Sequence, residues 1–162
     1  MRAVVLCGLA LLLTGCNAGP KVVIQEQDDT TPAAKAAPPA NWEYKTDRTS
    51  SWACARSVDN AAELCFRKER GHLDSYLHLP SLEGNPFFCQ RGRCLTKLKV
   101  DGGPEQTLQG TDDETGGTRI LFFPDPQKLL HEVQRAKVLQ VNPPMFGVDQ
   151  QFVFQVSGLS WK

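Results

Sequence analysis

Four of the six cysteines fall into two close pairs, and their spacing limits the fold more than any other feature. Four cysteines allow three connectivities, and spacing favours Cys54 with Cys65 and Cys89 with Cys94. In Cys89-Gln90-Arg91-Gly92-Arg93-Cys94 the thiols stand symmetrically about Arg91-Gly92. If those two residues form the turn, Gln90 pairs with Arg93 and Cys89 faces Cys94 at a non-hydrogen-bonded site. Facing Cα atoms there lie about 4.5 Å apart, within reach of a disulfide. Cys54 and Cys65 are likewise symmetric about Asp59-Asn60. A strict two-residue turn there places them at a hydrogen-bonded site, with Cα atoms about 5.5 Å apart. Neither gap suits a zinc site, and the Cys-x-x-Cys of a redox centre is absent. The pairs therefore predict two crosslinked β-hairpins.

The other two cysteines lie near the N-terminus. Arg2 precedes an apolar run from Ala3 to Leu13, too short for a hydrocarbon core that needs about 20 residues. One basic residue, a short apolar run and small exit residues predict a secretory signal over residues 1–15. Leu13-Thr14-Gly15-Cys16 resembles the bacterial lipobox, which implies that Cys16 is acylated and becomes the new N-terminus. Three acyl chains, as the resemblance implies, hold a protein far more firmly than one. Asn17 at the next position implies sorting to the outer membrane, with the domain facing the periplasm. Disulfides persist in such an exported chain.

Residues 16–41 read as the lipidated cysteine and a flexible, disordered tether rich in Pro and Ala. They hold no aromatic residue, and only Val22-Val23-Ile24 is apolar for more than a step before the Ala33–Ala37 stretch. Such a composition does not offset ordering entropy. Extended, the tether reaches about 75 Å, and its average reach is nearer 30 Å. Every aromatic residue lies between Trp42 and Trp161, so residues 42–162 form the folded domain.

Within it, short alternating segments are separated by turn residues. Trp42–Asp47, Trp52–Val58, Glu63–Arg70, Leu73–Leu79, Phe87–Cys89, Cys94–Val100, Gln106–Gln109, Arg119–Phe123, Val138–Val141 and Gln151–Val156 read as strands. Asp125-Pro126 supplies an N-cap and a first-turn proline. Leu129, Leu130, Val133 and Ala136 then share one helical face, predicting a helix over about 125–136. The expected fold is mostly β: an antiparallel β-sandwich with one α-helix. Phe152, Phe154 and Val156 alternate with Gln151 and Gln155, and Trp161 is placed to cover the end of the core.

No reaction chemistry is legible. Eighteen basic against eighteen acidic residues exclude the basic excess of a general nucleic-acid binder. No phosphate loop, nucleophile elbow or zincin motif occurs, so no enzyme, cofactor or metal is expected. His72, Asp74, Tyr76 and His78 share one strand face, but the two histidines stand about 20 Å apart, too far for one ion. The acidic stretch Thr111–Gly117 lacks the ligand spacing of a calcium loop and reads as a solvated hairpin tip.

Charge is unevenly placed. Arg91, Arg93, Lys97 and Lys99 fall on one face of the hairpin strand, with Arg67, Lys68 and Arg70 earlier in the chain. Asp101, Glu105, Asp112, Asp113 and Glu114 follow, predicting a dipolar domain. Such a face suits an anionic cell wall or lipid headgroup. It also protects an edge strand from aggregation.

Trp42-Glu43-Tyr44, Val100-Asp101-Gly102-Gly103-Pro104, Leu121-Phe122-Phe123, the 129–136 helix and the closing Phe152–Trp161 segment together resemble a group of small, largely uncharacterised proteobacterial envelope lipoproteins. More distantly the set is similar to accessory proteins of type VI secretion and to the invasion-associated locus B group. The resemblance spans nearly all of residues 42–162, with Trp52–Leu79 departing most. It implies a β-sandwich with one helix and brings no catalytic residues. The expectation is a non-enzymatic outer-membrane lipoprotein that binds or supports another envelope protein or cell-wall component. The competing expectation is a lipid-anchored inhibitor of lysozyme or another cell-wall hydrolase, entering a cleft with Pro143-Pro144-Met145-Phe146-Gly147.

Overall fold

The structure, a computed structural model, describes residues 42–81, 86–113 and 119–161. The expected signal segment, the expected lipidation site Cys16 and the expected tether lie outside the described residues. Among the described residues there are nine strands and one helix: β1 (Trp42–Thr46), β2 (Ser50–Arg56), β3 (Glu63–Glu69), β4 (His72–His78), β5 (Arg93–Val100), β6 (Gln106–Asp112), β7 (Ile120–Phe122), α1 (Pro126–Arg135), β8 (Val138–Asn142) and β9 (Phe152–Gln155). The fold is mostly antiparallel β with a single helix, as the spacing of apolar and turn residues predicts.

The strands form one antiparallel sheet in the order β1-β2-β3-β4-β7-β6-β5-β8-β9. The sheet returns on itself. Ser57, just past β2, bridges Phe154 of β9, and Val58 N donates to Val153 O at 2.8 Å. This bridge and backbone bond cover part of the β9 edge, which an open sheet would leave unpaired. One core cluster fills the interior, with Leu64, Phe66, Leu77, Leu121, Phe152 and Phe154 all 0–1% exposed.

α1 starts where its capping residues say it should. Asp125 Oδ1 accepts from Lys128 N at 3.0 Å, and Pro126 occupies the first turn, where its missing N–H leaves no bond unmade. Leu129 and Val133 bury their face, and the helix packs on β4. Trp161 covers the core as expected. Its ring lies 6.4 Å from Phe66, which is 6.3 Å from Trp42, and its carbonyl accepts from Gln134 Nε2. Trp42 Nε1 donates in turn to Val156 O at 3.1 Å, holding β1 to the C-terminal segment.

Both disulfides form as the spacing favours. At Cys89–Cys94 the turn is Arg91-Gly92, with φ of 52° and 73°. Gln90 and Arg93 exchange both backbone bonds, at 3.0 and 3.1 Å. That is a type I′ turn, whose twist matches a hairpin and whose second residue is commonly Gly. The Cα atoms of the cysteines are 4.5 Å apart. At Cys54–Cys65 the expected two-residue turn is replaced by a four-residue loop closing on Ser57 N to Ala62 O at 2.8 Å. The change moves the ladder alternation by one step. The cysteines thus occupy a non-hydrogen-bonded pair with Cα atoms 4.1 Å apart, not a hydrogen-bonded one. Ser57 drives it: its Oγ donates to Asp59 Oδ1 and accepts from Ala62 N.

Two strand expectations change. Phe87–Cys89 is no strand; Phe87 makes an isolated bridge to Met145. Pro86, Pro143 and Pro144 flank that bridge and lack the N–H groups a longer ladder needs. Conversely, β6 continues through Gly110 to Asp112. A Cβ on Gly110 would lie 2.5 Å from Phe122 O, so glycine there permits close approach to β7 rather than ending the strand.

Candidate functional site

β5 alternates cleanly. Cys94, Thr96 and Leu98 are buried, while Arg93, Leu95 and Lys97 face outward with Lys99 half-buried beyond them. On β6, Thr111, Gln109 and Thr107 stand opposite Arg93, Leu95 and Lys97 and are exposed too. This outer face divides in two. Lys97 Nζ and Lys99 Nζ reach the two carboxylate oxygens of Glu105, at 3.2 and 3.9 Å. Among the described residues, Arg91 and Arg93 have no carboxylate within 4.0 Å.

Those two arginines line a groove of about 540 Å³ together with Phe88, Gln90, Leu95, Gln109 and Pro144. The volume lies in the usual range for a small-ligand site. Pro144 belongs to the 143–147 loop, so the structure brings the two sequence motifs to one place. The loop is anchored rather than free. Met145 and Pro143 are buried, Phe88 N donates to Pro144 O at 2.8 Å, and Phe146 N donates to Pro86 O at 3.0 Å. What it presents is Phe146, 60% exposed, whose ring meets Phe88 edge-on at 5.9 Å. Phe88 is 50% and Leu95 61% exposed, so three large apolar side chains stand in solvent at or beside two cations.

The remaining basic residues do not join them. Arg67 is on β3, separated from β5 by β4, β7 and β6. It donates to Asp74 Oδ2 at 2.7 Å, and that hydrogen bond raises the guanidinium pKa further. The expected separation of basic hairpin from acidic stretch is also corrected. Glu105 folds back onto Lys97 and Lys99. Asp101 Oδ1 accepts from Lys137 N and Val138 N, both at 2.8 Å, while Asp112 ends β6 beside Gly92. The charges interdigitate because the β5–β6 hairpin returns the acids alongside the bases. Glu114 lies outside the described residues. His72 pairs with Asp74 and His78 with Glu63, as two separate contacts at 3.2 and 3.1 Å.

Phe88, Gln90 and Gln109 carry no sequence signal of their own. Leu95 does, as an apolar residue on an otherwise cationic outward face. No family model, curated protein or solved structure matches the chain. What the groove can hold is therefore read from its own side chains: negative charge beside an apolar group.

Proposed function

We propose that this chain is an outer-membrane lipoprotein, anchored through Cys16, whose β domain binds another envelope component in the periplasm and catalyses no reaction. One observation carries this reading. Arg91 and Arg93, without acidic partners among the described residues, sit in a groove with Phe88, Leu95 and Pro144. Exposed cations beside unburied aromatics are what interfaces use as anchors. The type I′ turn and the disulfide fix the backbone that carries both arginines before a partner arrives, which lowers the ordering cost of binding.

Sedimentation of residues 17–162 with isolated envelopes tests the reading. Binding should fall with salt and fall again in the Arg91→Gln, Arg93→Gln double variant, but persist in Lys97→Gln, Lys99→Gln. Equal retention of both variants would sink it. The anchor has its own test, since Cys16→Ser should abolish incorporation of labelled palmitate.

A second reading has one observation in its favour. Arg91, on a crosslinked turn, and the exposed Phe146 are both presented on anchored segments. Glycoside hydrolases of the cell wall carry a carboxylate pair in their cleft, which a presented arginine complements. Slowing of lysozyme by micromolar protein would support an inhibitor, and undiminished lysis would retire it.

A further inference from the structure

Resting on the groove reading, we infer that the occupant is the anionic phospholipid headgroup of the membrane to which the chain is tethered. Phe88, Leu95 and Phe146 are the apolar component. Each is at least half exposed, and Phe88 and Phe146 meet in one edge-on pair. Aromatic and apolar side chains beside arginine are the composition that seats a protein in the headgroup region of a bilayer.

Arg91 and Arg93 are the polar component. A headgroup phosphate needs donors that no carboxylate of the protein already holds, and these two guanidinium groups meet that need among the described residues. Lys97 and Lys99, on the same strand, do not, because Glu105 lies between them. Gln90 and Gln109 add neutral donors to the groove lining for headgroup hydroxyls or esters.

Chain length supports a lipid surface over a distant protein. Residues 17–41 separate Cys16 from the first strand, and 25 residues span at most about 90 Å in any conformation. A groove held that close to a bilayer meets headgroups at high effective concentration. The second contact would draw the domain down onto the membrane that its lipid already occupies.

Vesicle flotation tests this with residues 17–162, which carry every described element but no acyl chain. Two vesicle populations are compared at low salt: phosphatidylethanolamine with about 30% phosphatidylglycerol, and phosphatidylcholine alone. The protein should float with the anionic vesicles and remain behind with the zwitterionic ones. Arg91→Asn retains a residue suited to the left-handed turn, so loss of binding reports charge and not unfolding. It should weaken binding about fivefold, and Arg91→Asn with Arg93→Gln about twenty-fivefold, at one surface cation each. Phe88→Ser with Phe146→Ser should weaken it at least as much, while Lys97→Gln with Lys99→Gln changes it less than twofold. Equal flotation with both vesicle types, no flotation, or binding indifferent to the arginines would overturn the lipid assignment. If envelopes nevertheless retain the protein through Arg91 and Arg93, the groove binds a protein or cell-wall polymer instead. If the arginines matter in neither assay, the groove reading fails as well.

Discussion

The Cys54–Cys65 and Cys89–Cys94 hairpins are both crosslinked at a non-hydrogen-bonded pair, yet their surroundings are opposite. Around the first, local polar groups are satisfied internally. Ser57, Asp59, Ala61 and Ala62 bond one another, and Val58 N reaches across to Val153 O. That loop closes the sheet. Around the second, two backbone bonds and the disulfide hold the turn, and both arginine side chains remain available to solvent. One crosslink fastens the fold and the other displays a surface. The same covalent bond therefore says little about role; the fate of the neighbouring polar groups says more.

Variants can break that comparison. The largest effect is expected on the closure side, where Trp161→Ala should cost about 3–5 kcal/mol of stability through lost packing on Phe66. Denaturant melts should register it, and the folded fraction should bind as before. Cys54→Ala with Cys65→Ala should cost about 3 kcal/mol and likewise spare binding. Cys89→Ala with Cys94→Ala closes a shorter loop and should cost about 2 kcal/mol. Unlike the first pair, it should also lower affinity for the groove's ligand. A binding loss from both pairs alike would erase the distinction drawn between them.

A smaller change separates packing from presentation within β5 itself. Thr96 is fully buried and its Oγ1 has no hydrogen-bond partner among the described residues. Thr96→Val should stabilise by about 1 kcal/mol, because an unsatisfied buried hydroxyl is removed at nearly constant shape. Its outward neighbours Arg93 and Leu95 should bind as before. Arg91→Asn is the mirror case: melting should move by less than about 0.5 kcal/mol, since the turn conformation suits Asn. Its effect should appear in binding alone.

The local features were legible because they depend on short-range counting. Arg91-Gly92 sets the hairpin register within six residues, Asp125-Pro126 starts the helix, and strict alternation along β5 sorts inward from outward residues. Where a side chain competed with the backbone, counting failed: Ser57 widened the first turn and shifted its register. The groove was beyond reach for a different reason. The 88–95 stretch, Gln109 and Pro144 come from three separated segments, and only the strand order β6-β5-β8 makes them neighbours. The cationic hairpin and the 143–147 loop were each visible alone. Their meeting depends on Phe87 bridging Met145, a contact across 58 residues that no periodicity encodes. Likewise Glu105 neutralises Lys97 and Lys99 only because the hairpin folds back.

Site-specific photocrosslinking in intact cells tests the central claim most directly. A photoreactive side chain at Leu95, inside the groove, is compared with one at Thr107, on the same outer face of the sheet but outside the groove lining. A light-dependent adduct is expected from position 95 that disappears when Arg91 and Arg93 are replaced, with little from position 107. Equal adducts from both positions, or an adduct at 95 that survives loss of the arginines, would contradict it.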